Sequence, residues 1–182
     1  MAGGAVCAVS DAEAVERVLE GDVEAYGVLV ERYRTAYGRM ATALCGDADL
    51  AADAMQEAFI RAFDALATCE RPDRFGAWFH RILRNQCSNH RTRRRQHASL
   101  EAQQLSSPHQ TDDGLRRSEL RAAIQAAIDA LTPDQREAFV LRHIEGRPYG
   151  EMAALLDERE DALRMRVHRA RDAVRRQLEG VL

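Results

Sequence analysis

The sequence predicts an all-α fold of two small helical domains joined by a flexible linker, and three observations predict it. Ala, Leu, Glu and Arg dominate, while only 11 Gly and 4 Pro occur in 182 residues, a balance that favours helix over strand. Apolar residues recur at helical spacing through most of the chain. The stretch around residues 97–114 is rich in Gln, Ser and His, carries Pro108 and lacks apolar periodicity, so it reads as a linker between units at 10–96 and 115–180.

In the first unit Asp11 is expected to cap a short helix to Glu20, and Gly21-Asp22 breaks it. A longer helix should run from about Val23 to Leu44, with Tyr26, Leu29, Val30, Tyr33, Tyr37 and Met40 at helical spacing. Cys45-Gly46-Asp47 ends it, and Asp49 opens the next helix, to about Leu66. There Met55, Phe59, Ala62, Phe63 and Leu66 form an apolar stripe, whereas Asp53, Gln56, Glu57, Ile60 and Asp64 form an acidic face with one apolar residue. A loop from Thr68 to Arg74, marked by Pro72, leads into a helix from about Phe75 to Arg95. At about 100° per residue its Phe75, Trp78, Phe79 and Ile82 fall on one side, and Arg81, Arg84, Arg91 and Arg95 gather on the other.

The second unit opens with an Ala-rich helix from Leu115 to Leu131. Thr132 is an N-cap with Pro133 at the first helical position and Gln135 placed for a capping box. That helix should end near Ile144. A short helix at Tyr149–Leu156, a turn through Asp157–Glu160 and a basic helix from Asp161 to about Leu178 then make a helix-turn-helix pattern, whose second helix is the one that enters a major groove. Leu163, Val167, Ala170, Val174 and Leu178 should face inward.

The net charge of −3 conceals blocks of alternating sign. Residues 1–70 hold 5 Arg against 13 acids, 71–100 hold 8 Arg against Asp73 alone, 101–163 hold 7 Arg against 13 acids, and 164–182 hold 6 Arg against 2 acids. Solvated helix faces normally mix signs. A one-signed stripe opposite aromatic residues is the footprint of nucleic-acid contact, and two basic segments on an acidic body suggest two separate contacts with phosphate.

No run approaches the roughly 18 apolar residues of a membrane span, and Met1–Ser10 lacks a signal-peptide pattern, so a cytoplasmic protein is expected. Cys7, Cys45, Cys69 and Cys87 form no C-x-x-C pair, and Cys87 with His90 makes at most half of a metal site. No carboxylate cluster, histidine pair or nucleophile arrangement supports catalysis, and no cofactor is expected. Glu57 and Asp53 share a face, and Glu57 is expected to pair with Arg61.

Three segments together resemble the bacterial RNA polymerase sigma factors of the small extracytoplasmic-function (ECF) type. Residues 53–63 (DAMQEAFIRAF) resemble region 2.2. Residues 75–85 (FGAWFHRILRN), followed by Arg93-Arg94-Arg95, resemble regions 2.3 and 2.4. Residues 131–139 (LTPDQREAF), with Glu145-Gly146, Tyr149, Glu151-Met152-Ala153 and 167–171 (VHRAR), resemble region 4. The ordered set covers about 130 residues and is specific where no single motif is.

The resemblance implies that Asp53, Gln56, Glu57, Ile60 and Arg61 dock on the β′ clamp helices of RNA polymerase core. It also implies that residues 75–95 melt and hold the −10 promoter element, with Asn85 for base contact and Arg81, Arg84, Arg91 and Arg94 beside it. Trp78, on the apolar side, is expected in the core. Region 4 implies contact with the β flap and with −35 duplex through Arg164, Arg166, His168 and Arg169. The turn departs from the family pattern: Asp157-Glu158-Arg159-Glu160-Asp161 stands where Gly, an apolar residue and a small residue are usual. Its four acids predict −35 binding that is weak, shifted toward Arg164, Arg166 and Arg169, or dependent on another protein. An anti-sigma factor is a further implied partner, and no C-terminal sensing extension is expected. The alternative reading is a stand-alone helix-turn-helix regulator whose first domain dimerises or senses.

Overall fold

The computed structural model describes residues 9–101 and 112–179, and every regular element among them is helical. Helix α1 spans Asp11–Leu19, and its cap is Ser10 rather than Asp11: the Ser10 hydroxyl accepts from the Glu13 N–H. Asp11 turns instead to α2, where it pairs with Arg32 and accepts the Tyr33 hydroxyl. A 3₁₀ turn at Val23–Ala25 leads into α2, Tyr26–Cys45, which ends at Gly46 in the left-handed conformation at φ 75°. The side chain of Asp47 then caps α3, Ala48–Asp64, by accepting from Asp49 and Leu50.

Helix α4, Phe75–Glu101, lies across α2 and α3. Phe75, Phe79 and Leu83 are buried, and Phe79 stacks on Phe59 of α3 at 4.5 Å between ring centroids. Gly76 permits the close crossing, since a Cβ there would lie 2.9 Å from the Tyr33 hydroxyl. The expected stripe on α3 holds at Met55, Phe59 and Ala62. Phe63 is instead part-exposed at its edge, with its ring against Tyr26.

Helix α4 continues six residues beyond Arg95, into the segment read as linker, because Ala98, Leu100 and Glu101 are helix formers. Residues 102–111, the Pro108 stretch, lie outside the described residues. In the second domain α5 spans Asp112–Asp129. Helix α6, Pro133–Phe139, opens on the expected Thr132–Gln135 capping box and runs into a π-helical turn at Val140–Ile144. Buried Arg136 donates to the carbonyls of Ile128, Asp129 and Leu131 and so closes the C-terminal end of α5. Helices α7, Tyr149–Leu156, and α8, Glu160–Leu178, form the helix-turn-helix. Leu163, Val167, Ala170 and Val174 are buried, with Leu178 partly so.

The two domains sit against one another. Val140 and Leu141 of the π-helical turn and Met152 and Leu155 of α7 belong to the same apolar cluster as Tyr37 of α2 and Phe75 and Phe79 of α4. No helix among the described residues is long and apolar enough to cross a membrane.

Candidate nucleic-acid and partner interfaces

The acidic face of α3 is exposed as its periodicity requires. Asp53, Gln56 and Arg61 are at the surface, and Ile60 is 53 % exposed among them. Beside Ile60 an open groove of about 740 Å³ runs between α2 and α3, lined by residues including Val30, Ala41, Ala52, Met55 and Phe59. Glu57 does not pair with Arg61. It meets His90 at 3.3 Å and Arg93 at 3.9 Å, while the Gln86 amide bridges Glu57 Oε2 and Arg61 Nε at 3.0 Å each when its oxygen faces the arginine. This face of α3 is thereby fastened to α4.

On α4, Asn85 is exposed and Arg94 is half-exposed beside Asp47 at 2.8 Å. The other arginines of the predicted contact set are engaged by the second domain. Arg81 faces Asp157 at 3.7 Å, and Arg84 reaches Glu137 at 3.1 Å and Asp134 at 3.5 Å. Arg91 is only 6 % exposed, donating to the Leu44 carbonyl and pairing with Asp129 at 2.8 Å. Arg81, Arg84 and Arg91 of the predicted stripe are therefore paired in this arrangement, because the acidic block at 101–163 supplies their counter-charges, and the side chain of Arg95 lies outside the described residues. Trp78, half-buried against Phe75, is not a full core residue. It lines a cleft of about 510 Å³ with Thr68, Glu70, Arg71, Arg74 and Arg81, to which the second domain contributes Ala154 and Asp157. Arg71 and Arg74 flanking Pro72 were the signal in the sequence for this cleft, which the arginine periodicity of α4 alone does not give.

His80 and Glu137 meet at the domain junction, both buried, with 3.6 Å between Nε2 and Oε1. Neither ring nitrogen of His80 nor Oε1 of Glu137 has a hydrogen-bond partner. Burial, reinforced by the nearby Arg84, Arg147 and Arg81, pushes the His80 pKa down to about 3. Burial also raises that of Glu137, against the opposing pull of Arg84. The imidazole is neutral here, and the charged partner of Glu137 is Arg84, at 3.1 Å.

In the helix-turn-helix, Asp157 takes the left-handed conformation, φ 56° and ψ 45°, that a glycine usually supplies after a helix, and Asp tolerates it better than most residues. Glu158 stands where an apolar side chain usually packs. Both its carboxylate oxygens hold Arg166 Nη2, at 2.8 and 2.7 Å. Arg164 is paired with Glu160 at 3.2 Å and lies over the Tyr149 ring at 4.4 Å. His168 contacts Asp172 at 3.1 Å, and Arg169 is exposed. The acids of the turn thus neutralise the first arginines of the recognition helix.

Residues 29–97 match Sigma-70 region 2, and residues 121–174 match Sigma-70 region 4. The RNA polymerase sigma-H factor of Pseudomonas aeruginosa is 31 % identical over 94 % of this chain and 95 % of its own. The chain belongs to the ECF sigma factors. The ECF RNA polymerase sigma-E factor of Escherichia coli K12 is similar at 29 % identity, covering 96 % of this chain and 97 % of that protein. Among solved structures, CnrH in complex with the cytosolic domain of CnrY aligns with a TM-score of 0.62 at 26 % identity, over 93 % of this chain and 97 % of CnrH. The sigma factor RpoE of Bartonella quintana, solved with the anti-sigma factor NepR, shares the fold with a TM-score of 0.52 and 23 % identity, over 90 % of this chain and 98 % of that one. An ECF sigma factor binds RNA polymerase core and directs it to promoters, a role that supersedes the stand-alone regulator.

Proposed function

We propose that residues 10–96 dock on core polymerase and open the −10 element, that residues 115–180 reach the −35 duplex, and that 97–114 connect them. Docking uses Asp53, Gln56, Glu57, Ile60 and Arg61 on the β′ clamp helices. An acidic face with one exposed apolar residue complements a partner helix bearing basic groups and an apolar pocket. The single observation that carries the melting role is the 510 Å³ cleft beside α4. It has an aromatic wall at Trp78 and a rim of Arg71, Arg74 and Arg81, which suits one unpaired base with its phosphate. Asn85 presents an amide for a base edge, while Arg84, Arg91 and Arg94 hold the backbone once they are released from their present partners. At the −35 element, Arg169 and His168 lead, and Arg164 and Arg166 follow after exchanging their carboxylates for phosphate. The second domain also meets the β flap.

The protein works in the cytoplasm, performs no catalysis of its own and is regulated by an anti-sigma factor. Permanganate footprinting of open complexes on a cognate promoter tests the melting role. Asn85→Ala should lower open-complex yield about tenfold, the worth of one lost base contact of about 1–3 kcal/mol, without reducing binding to core. An unchanged footprint would remove Asn85 from base recognition.

A further inference from the structure

On the recognition helix α8, Met165 is 55 % exposed. Leu163, Val167, Ala170 and Val174 make the buried row of that helix. At about 100° per residue Met165 stands about 160–200° from Leu163, Val167 and Val174, so it points directly away from the core. It lies in the second turn of α8, within the N-terminal part of a recognition helix that meets base edges. Its neighbours three and four residues away are Asp161 and His168 on one flank and Ala162 and Arg169 on the other, all exposed. The ionic groups around it are mostly engaged. Arg164 pairs with Glu160 at 3.2 Å and lies over the Tyr149 ring, both carboxylate oxygens of Glu158 hold Arg166, Arg159 meets Asp161 at 3.5 Å, and His168 meets Asp172 at 3.1 Å. Arg169 is exposed, with no ion pair among the described residues. We propose that Met165 is a specificity-determining residue, packing its thioether end on the 5-methyl group of a thymine in the −35 major groove, with Arg169 beside it supplying the adjacent polar contact.

Met165 has this role only if residues 115–180 meet the −35 duplex, as proposed above. In the major groove thymine presents a methyl group beside its O4 acceptor, whereas cytosine presents an amino donor and no methyl. An apolar side chain at that place therefore distinguishes T·A from C·G. Methionine suits the contact because its unbranched, polarizable chain adapts to the shape it meets. Its sulfur is only a weak acceptor, so a base edge offering polar groups alone would lose water to it with little in return. The acids of the turn give the contact its weight. Arg164 and Arg166 must each leave a carboxylate before either can hold a phosphate, while Met165 needs no such exchange. A methyl contact also displaces no counterions, so this share of the binding is insensitive to salt, unlike the share carried by arginines.

The test uses holoenzyme, core polymerase with the full chain, on a promoter located by run-off transcription. Each thymine of the −35 region, on either strand, is replaced in turn by deoxyuridine, which removes only the 5-methyl group, and affinity is read by fluorescence anisotropy. At one position the replacement should weaken wild-type binding about fourfold, the worth of one buried methyl-sized group, and by the same factor at low and high salt. Met165→Ala should bind the thymine and deoxyuridine duplexes equally, and Met165→Leu, which keeps an apolar side chain of similar size, should retain the discrimination. Both substitutions are at an exposed helical site and use good helix formers, so folding is not at issue. Arg169→Ala and a scrambled −35 sequence report on the underlying assignment, and each should weaken binding. Deoxyuridine without cost at every position, or with the same cost in Met165→Ala as in wild type, overturns the methyl contact. The −35 assignment then stands if Arg169→Ala and scrambling still weaken binding. If neither does, the assignment of residues 115–180 to the −35 duplex falls, and the role of Met165 falls with it.

Discussion

Lowering the pH should destabilise this protein, and the part owed to His80 can be isolated. Its imidazole is completely buried beside Arg84, Arg81 and Arg147, and its pKa is held down to about 3, against an ordinary value of about 6.5. Above pH 6.5 the ring is neutral in both folded and unfolded chains and contributes no pH dependence. Below it the unfolded chain takes up a proton that the folded chain refuses, so stability is lost as pH falls from about 6.5 towards 3. The slope approaches 1.4 kcal/mol per pH unit, giving a loss of about 2 kcal/mol at pH 5. Glu137 works in the opposite direction. Its raised pKa makes the folded chain take up a proton first, which favours folding as pH falls through that pKa. The quantity to measure is therefore the difference between wild type and His80→Gln, in which the remaining titrations largely cancel. Urea unfolding of both at pH 7 and pH 5 should show wild type losing about 2 kcal/mol more than the variant. Parallel losses would refute the assignment of a neutral, uncompensated histidine at the junction.

Other expectations follow from the same geometry. Ile60→Glu should weaken binding to core polymerase at least tenfold in a fluorescence titration, because an exposed apolar residue at the centre of a docking face is worth about 1.5–3 kcal/mol when buried. Glu158→Gln should free Arg166, raising affinity for −35 duplex and steepening its salt dependence by about one phosphate contact. Strong −35 protection by wild-type holoenzyme in DNase footprinting, with no other factor present, would contradict the view that the turn acids hold these arginines back. Arg136→Met should cost the second domain about 3 kcal/mol or more in thermal unfolding, because it leaves three carbonyls near the end of α5 without their charged donor.

Local chemistry made most of the helices legible. Thr132, Pro133 and Gln135 specify the start of α6 by satisfying the same N–H groups that the structure satisfies, and the spacing of Leu163, Val167, Ala170 and Val174 fixes the buried side of α8. The cap of α1 falls one residue before the expected Asp11, because Ser10 and Asp11 are both competent caps and Asp11 is drawn away by Arg32 and Tyr33 on another helix. The candidate contact residues were legible as a stripe on α4, but their partners were not. Periodicity assigns Arg81, Arg84 and Arg91 to one face without saying what covers it, and the acids that do so come from positions 38 to 76 residues further on. The alternating blocks of charge held that information only in aggregate. The cleft beside Trp78 was similarly hidden, since it forms where a 3₁₀ turn, α4 and α7 converge.

The most direct test of the account is run-off transcription by purified core polymerase on a library of genomic fragments, with and without this chain. Addition of the chain should produce a small set of discrete start sites that share an upstream −10-like sequence, and Ile60→Glu should abolish them. Transcription that is unchanged by the chain, or that starts indiscriminately in its presence, would contradict the account.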